Sequence, residues 1–151
     1  MGQKGFESAL ARHAKIAVDS MVFIYHIEAN ASFLGLTRTL FHRIETGQVS
    51  AVTSVLSLLE VLTHPYRKGE TELAVLYRGL ITEFPHLTVH PLDQATAELA
   101  ASVRAHYGIS SPDAIQIATA LRQGATVFVT NDKKRSQIKE LDVLLLHSFV
   151  G

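Results

Sequence analysis

The 151-residue sequence contains no cysteine and has no net charge, since 14 lysine and arginine residues balance 14 aspartate and glutamate residues. The lack of cysteine excludes disulfide bridges, thiolate zinc sites and cysteine nucleophiles, and it fits a reducing cytoplasm. Zero net charge gives no overall attraction to nucleic acid, so a site for a polyanion has to be local or metal-dependent. No apolar run approaches the roughly 18 residues of a membrane span, and residues 1–14 lack the apolar core of a signal peptide.

The composition is that of a single folded domain. Hydrophobic residues make up 47% of the chain and charged residues 19%, which excludes a disordered or low-complexity protein. A chain of this length buries roughly 70% of its unfolded surface, which is enough for a packed core. Residues 1–14 are polar and are predicted to be an N-terminal extension, either a tail or a short irregular segment, and residues 15–151 are predicted to be one domain.

Short runs of strand-forming residues alternate with helical patterns along the chain. The predicted strands cover residues 15–18, 49–53, 87–90, 125–129 and 143–146. The predicted helices cover residues 33–46, 55–63, 71–83, 94–106 and 111–123, and the second ends at His64-Pro65. Residues 21–27 either continue the first strand or form a helix capped by Ser20. This alternation predicts an α/β fold with a parallel sheet covered by helices on both faces.

Acidic residues follow two of the predicted strands. Asp19 comes directly after the first strand, and Asp132 follows the fourth. Because open parallel sheets bind ligands at the carboxyl ends of their strands, both carboxylates are expected at that edge. Asp113 lies in the first turn of the helix that leads into the fourth strand, and Glu60 is the charged residue of an otherwise apolar helix.

Each acid also has an ordinary structural explanation. Asp19 and Asp113 suit helix N-termini, where a carboxylate gains about 0.3–1 kcal/mol from the helix dipole. Asn131-Asp132 is a composition typical of turns, and Glu60 could face solvent, although its sequence neighbours are apolar. The expected meeting of four acids at one sheet edge favours a shared site over four separate explanations.

A cluster of carboxylates needs a positive partner. Two carboxylates about 4 Å apart repel by roughly 4 kcal/mol at an effective dielectric constant of 20. No lysine or arginine immediately flanks Asp19, Glu60 or Asp113, so a divalent cation is expected to balance the cluster. Hard oxygen ligands without histidine or cysteine favour Mg²⁺ or Mn²⁺, which bind substrate phosphates and therefore predict phosphodiester chemistry.

Four motifs that follow one another in a fixed order identify a protein family more specifically than any one motif would. They are Val18-Asp19-Ser20 with Phe23-Ile24-Tyr25, residues 53–60, Ser111-Pro112-Asp113-Ala114-Ile115 with Ile117-Ala118-Thr119-Ala120, and Val129-Thr130-Asn131-Asp132. Over about residues 16–149 the chain resembles the PIN domain family and, within it, the VapC-type toxins of toxin–antitoxin pairs. The resemblance implies a three-layer α/β/α fold with a five-stranded parallel sheet, a metal-dependent ribonuclease, a homodimer and a small antitoxin partner.

The resemblance also implies roles for individual residues. Ser20 and Thr130 correspond to hydroxyls that support the site, and the acidic metal-binding positions correspond to Asp19, Glu60, Asp113 and Asp132. We predict that these acids hold one or two Mg²⁺ or Mn²⁺ ions and that a metal-activated water attacks an RNA phosphodiester.

Other polar residues near the last acid are weaker candidates. Asn131 is able to orient a carboxylate or a water, and capping or turn formation explains it, Ser20 and Thr130 equally well. The basic residues after Asp132 are candidate contacts for RNA phosphates, or else a solvated helix face. They are Lys133, Lys134 and Arg135.

Two alternative functions stay open at this point. One is a PIN-type RNA-processing nuclease without an antitoxin, and the other is a non-catalytic binding module whose acids serve stability. A haloacid phosphatase also has an aspartate after its first strand, but its pattern needs a second aspartate where Met21 stands. An internal guanidinium that already compensates the acids would remove the electrostatic argument for a metal.

Overall fold

A computed structural model describes residues 2–150, so Met1 and Gly151, the outer ends of the predicted extension and domain, lie outside the described part. Five parallel strands form one sheet in the order β3-β2-β1-β4-β5. The strands are β1 (Lys15–Val18), β2 (Ser50–Ser54), β3 (Leu87–His90), β4 (Val127–Thr130) and β5 (Asp142–Leu145). The predicted five-stranded parallel sheet is confirmed.

Seven α-helices and two short 3₁₀ helices connect and cover the strands within residues 2–150. The α-helices are α1 (Gly2–Leu10), α2 (Ser20–Ile27), α3 (Leu34–Glu45), α4 (Leu56–Lys68), α5 (Thr71–Thr82), α6 (Gln94–Tyr107) and α7 (Ser111–Arg122). The 3₁₀ helices are η1 (Lys133–Gln137) and η2 (Leu146–Phe149). None of the helices in the described residues combines the length and the apolar character that crossing a membrane requires.

The sheet separates two hydrophobic cores because successive strand side chains point to opposite faces. Ile16 and Val18 of β1 join the larger core, which includes side chains from α1 to α5, such as Phe23. Ala17, between them in the strand, joins the smaller core with side chains of α6 and α7, such as Ile117. The result is the three-layer α/β/α architecture.

The N-terminal segment differs from the predicted tail or irregular extension. Residues 2–10 form helix α1, and its side chains Phe6 and Leu10 are fully buried in the larger core. The Phe6 ring meets the Phe149 ring edge-to-face at 5.2 Å between centroids. Two apolar residues four positions apart are a weak sequence signal. Their partners on α3 and η2 are distant in sequence, so the helix becomes evident only in the tertiary structure.

Helices α2 and α4 also refine the predictions. Residues 20–27 adopt the helical alternative, but its N-cap is Asp19 rather than Ser20. Helix α4 does not end at Pro65 but continues to Lys68 and stops at Gly69, whose φ of 68° is left-handed. Pro65 is tolerated inside the helix because it is buried one turn after Val61, on the same packed face.

The strand order brings the ends of β1 and β4 together. These strands are parallel neighbours, with Val18 opposite Val129, and the Asp19 amide continues the pairing by donating to the Val129 carbonyl at 3.0 Å. The chain runs from β1 outward to β2 and β3 and then crosses back to β4, so the order reverses between β1 and β4. Such a reversal opens a crevice at the carboxyl ends of the strands.

Candidate active site

Asp19 is fixed at this crevice by contacts to both of its carboxylate oxygens. The residue is fully buried, with 0% of its surface exposed. Its Oδ1 accepts a hydrogen bond from the Ser20 amide at 2.8 Å, and its Oδ2 accepts one from the Thr130 hydroxyl at 2.6 Å. Ser20 therefore contacts the acid through its main chain, and Thr130 contacts it through its side chain.

Thr130 links Asp19 to Asp132. The Asp132 amide donates to the Thr130 hydroxyl oxygen at 3.1 Å. The Asp132 carboxylate caps η1 by accepting from the Lys134 amide at 3.0 Å. A single hydroxyl at the end of β4 thus sets the spacing of the two strand-end acids.

Arg135 lies between three of the four predicted acids. Its guanidinium pairs through Nη1 with Asp19 and through Nη2 with Asp113, and its Nε also donates to Asp113 at 3.2 Å. The Asp132 carboxylate lies 3.9 Å from Nε. The guanidinium carbon is 5.4 Å from the centroid of the Phe128 ring. We call Asp19, Asp113, Asp132 and Arg135 the acid–arginine cluster.

The cluster keeps Arg135 charged although the side chain is almost completely buried. Burial by itself lowers the pKa of Arg135, but the charge of Asp19 and the hydrogen bonds to Asp113 and Asp19 outweigh it, so the pKa is raised. Only 4% of the residue is exposed. One guanidinium balances only part of the charge of three carboxylates.

Arg135 corrects two expectations drawn from the sequence. A divalent cation was expected to balance the acids, but Arg135 is an internal guanidinium that pairs with two of them, because the chain turns after β4 and carries it back over Asp19 and Asp113. Arg135 also does not share the surface with Lys133 and Lys134, whose side chains are exposed. Arg135 is buried and therefore does not present its charge to RNA in this structure, whereas the two lysines have the exposure expected of phosphate-binding residues.

Glu60 belongs to a neighbouring network in which the hydrogen-bond donors are uncharged amide and hydroxyl groups. Its Oε1 accepts from the Gln116 amide nitrogen at 3.1 Å, and the same nitrogen lies 3.1 Å from the Ser57 hydroxyl. Ser57 and Thr53 share a hydrogen bond of 2.7 Å, and the Thr53 hydroxyl donates to the Val18 carbonyl at 2.8 Å. We call Glu60, Gln116, Ser57 and Thr53 the glutamate network.

The glutamate network adjoins the acid–arginine cluster, and none of its four hydrogen bonds involves Arg135. Gln116 is three positions after Asp113 on α7, which places the two side chains on one face of the helix. The Val18 carbonyl at the other end of the network directly precedes Asp19. The structure thus groups three predicted acids around one cation and holds the fourth by a separate amide.

Sequence reasoning missed Gln116. Only 2% of this residue is exposed. Like Glu60, it is a polar residue inside an apolar helical run. It stands out less in the sequence than Glu60 does, because an amide is less costly to bury than a charge.

Asn131 contacts residues other than the acids. Its Nδ2 donates to the Tyr25 hydroxyl at 3.3 Å, and its Oδ1 accepts from the His147 amide at 2.9 Å. These bonds tie the loop after β4 to α2 and η2. They orient the loop that carries Asp132 rather than any carboxylate directly.

The donor set fits a divalent cation, although it is arranged around a guanidinium. Among residues 2–150 no group of three or more histidine, cysteine, aspartate or glutamate side chains stands ready to hold a metal. Asp19, Asp113 and Asp132 nevertheless share one cationic partner, and carboxylate oxygens are the ligands that Mg²⁺ and Mn²⁺ prefer.

The PIN domain family matches residues 16–141, a span that contains all four acids and runs from the second residue of β1 to just before β5. The chain belongs to the PIN domain family. PIN domains are generally nucleases, and they generally use divalent metals. No curated protein matches this PIN domain closely enough to add to that finding.

Solved structures similar to this PIN domain come from toxin–antitoxin complexes. VapBC2 from Rickettsia felis, bound to a DNA fragment from its promoter, has a TM-score of 0.70 at 14% identity and covers 87% of this chain and 98% of its own. DNA-bound VapBC from Salmonella typhimurium has a TM-score of 0.63 at 18% identity, covering 87% and 98%. A toxin–antitoxin complex from Klebsiella pneumoniae has a TM-score of 0.61 at 18% identity, covering 87% and 97%. At these identities the likeness concerns the fold alone.

Proposed function

We propose that this PIN domain is a Mg²⁺- or Mn²⁺-dependent endoribonuclease and the toxin of a toxin–antitoxin pair that acts in the cytoplasm. Because Arg135 already compensates Asp19 and Asp113, unbalanced negative charge no longer argues for a metal. The observation that carries the proposal is the meeting of three carboxylates, those of Asp19, Asp113 and Asp132, at the carboxyl edge of the sheet. Membership of a family of nucleases supports the reaction class. The toxin–antitoxin complexes among the structures of the same fold support the biological role.

In this proposal Asp19, Asp113 and Asp132 would hold the divalent ion, and Glu60 would be a fourth ligand. Gln116 positions Glu60 beside the helical turn that carries Asp113. When bound, the ion supplies charge stabilisation for the phosphoryl group and makes water a stronger nucleophile at neutral pH.

The protein's own groups prepare the site for that chemistry. Thr130 and the Ser20 amide fix the Asp19 carboxylate, so little reorganisation is needed when charge develops on the substrate. The exposed side chains of Lys133 and Lys134 follow Asp132 directly and attract the phosphates of an RNA strand that enters the crevice. Single-stranded or looped RNA suits such a site because its backbone bends into a local contact.

Apolar side chains on α4 and α5 support protein partners, which in this proposal are a small antitoxin and a second copy of the chain. Leu59 is 63% exposed and Val75 is 62% exposed. Leu76 on α5 is 56% exposed, whereas its neighbour Tyr77 is buried in the core. Exposed apolar surface of this kind is commonly covered by a partner protein.

One observation favours a second candidate function, a non-catalytic PIN-like binding module. The pairing of Arg135 with Asp19 and Asp113 is what acids that serve stability would show. An RNA-processing nuclease without an antitoxin shares the catalytic prediction and differs only in its partner.

The test of the nuclease proposal is cleavage of a folded RNA at saturating Mg²⁺ or Mn²⁺ by protein freed of any antitoxin. Asp113→Asn is expected to lower the rate about a hundredfold or more, the loss that follows removal of one preorganised charge-stabilising group. The matched control is Asp142→Asn, because Asp142 is an exposed acid at the start of β5, on the opposite edge of the sheet. Equal rates for Asp113→Asn and the wild type, or no cleavage by the wild type, would contradict the proposal.

A further inference from the structure

We propose that Arg135 is an internal competitor of the divalent cation, an autoinhibitory side chain that has to withdraw from the acid–arginine cluster before the ion binds. This inference rests on the proposed function of Asp19, Asp113 and Asp132 as metal ligands. It adds a regulatory contact that belongs to this chain's own η1 segment.

The two cations compete for the same oxygen atoms. The guanidinium engages Asp19 through Oδ2 and Asp113 through Oδ1, the second oxygen by two nitrogens at once. An ion bound by these oxygens at about 2.1 Å would lie directly against the guanidinium. Positive charges about 4 Å apart repel by roughly 4 kcal/mol per unit pair at an effective dielectric constant of 20. Simultaneous occupancy of these oxygen atoms by both cations is therefore unfavourable.

The charge balance favours exchange in the presence of the ion. A guanidinium brings one positive charge to three carboxylates, and the third, Asp132, is 3.9 Å away from it. A divalent ion would bring twice that charge, and all three acids would supply oxygen ligands to it. The cluster is thus better neutralised by the ion than by Arg135.

The position of Arg135 in the chain permits withdrawal without unfolding. It is the middle residue of η1, a five-residue 3₁₀ helix, and helices of this kind have poorer hydrogen-bond geometry than α-helices. The flanking residues Lys134 and Ser136 are exposed, so the segment borders solvent on both sides of Arg135. Rotation of its long side chain brings the guanidinium to the same surface as Lys133 and Lys134.

This arrangement couples metal binding to RNA binding. A ligand that binds only the open form has its apparent affinity reduced by the fraction of molecules that are open. RNA phosphates that draw Arg135 to the surface raise that fraction, and reciprocity requires that the metal also raises the affinity for RNA. The nuclease is then restrained until both substrate and ion are present.

The test compares Mn²⁺ affinity, measured by calorimetry in the absence of RNA, for the wild type, Arg135→Gln and Lys139→Gln. Lys139 is an exposed residue two positions after η1, so its substitution removes the same charge outside the cluster. Arg135→Gln is expected to bind Mn²⁺ about tenfold more tightly than the wild type, because the closed form is removed. Lys139→Gln is expected to stay within about twofold of the wild type, since distant exposed charges are screened.

The outcomes separate the two proposals. Equal or weaker Mn²⁺ binding by Arg135→Gln would overturn the competition and leave the metal site in place. Binding by none of the three proteins would overturn both the competition and the metal-dependent function.

A second measurement on the wild type covers the case in which Arg135→Gln does not fold. The Nε–H resonance of Arg135, assigned with Arg135→Lys, is followed by NMR during a Mg²⁺ titration. It is expected to move from an ion-paired position to that of a solvated arginine as the ion binds. A resonance that stays unchanged while Mg²⁺ binds would overturn the competition.

Discussion

The acid–arginine cluster and the glutamate network lie side by side but hold their carboxylates in opposite ways. In the cluster a buried guanidinium on a short 3₁₀ helix meets the charges of Asp19 and Asp113. In the network the amide of Gln116 holds Glu60, and both residues sit on long α-helices. The first region balances charge with a side chain that can leave, and the second orients a charge without cancelling it.

This difference separates two tasks within one candidate site. Cancelling a charge stabilises the fold but occupies the oxygen atoms that a metal would use. Orienting a charge with a neutral amide leaves the carboxylate negative and still available. The cluster therefore responds chiefly to changes in charge and in divalent ions, whereas the network responds chiefly to loss of hydrogen bonds.

The greatest loss of stability is expected when the acid–arginine cluster loses its guanidinium. Arg135→Gln, measured in a chelator by denaturant unfolding, is expected to lower the free energy of unfolding by about 3–5 kcal/mol, because it leaves buried carboxylates without a counter-charge. Added Mn²⁺ is expected to restore more stability to this variant than to the wild type. The control Lys139→Gln is expected to change stability by less than about 0.5 kcal/mol. If Arg135→Gln had the same free energy of unfolding as the wild type, with and without chelator, Arg135 would not balance the acids.

An intermediate effect is expected from the glutamate network. Gln116→Leu removes the donor to both Glu60 and Ser57, and it is expected to cost about 1–3 kcal/mol because polar groups are left without their partner. Thermal or denaturant unfolding in chelator measures the loss. Gln94→Leu, a similar change at an exposed helical position, serves as the control. A loss no greater than that of the control would contradict the proposed role of Gln116.

The smallest expected effect tests whether the two regions are separate. A double-mutant cycle of Glu60→Gln with Arg135→Gln, in chelator, is expected to give a coupling energy below about 0.5 kcal/mol, since the two side chains share no bond. The cycle of Asp19→Asn with Arg135→Gln is expected to give about 2 kcal/mol, because those side chains are in direct contact. Equal coupling energies in both cycles would show that the acid–arginine cluster and the glutamate network are one connected network.

Much of the architecture could be predicted from local patterns. The strand at residues 15–18 has the bounds expected of it, and the helices at 71–82 and 94–107 differ from prediction by one residue each. Residues 20–27, which fitted either a strand or a helix, form α2. Periodicity and caps are local properties, and they therefore remain visible without the fold.

Other elements depend on contacts that local patterns do not contain. Helix α1 is stabilised by the burial of Phe6 and Leu10 against distant residues, and α4 continues through Pro65, which is itself buried one turn after Val61. In both cases burial outweighs a local signal that points to irregular structure or to a helix end.

The alternation of strands and helices, and the places of Asp19 and Asp132 after two strands, follow from the amino acids alone, because hydrophobic periodicity and strand ends are local properties of the chain. The position of Arg135 among the acids, 116 positions from Asp19, and the bond from Gln116 to Glu60, 56 positions away, are evident only in the folded chain. Charge compensation and hydrogen bonding act through space and not along the sequence. A basic residue that flanks no acid except Asp132 in sequence becomes the partner of two others once the sheet brings their strands and helices together.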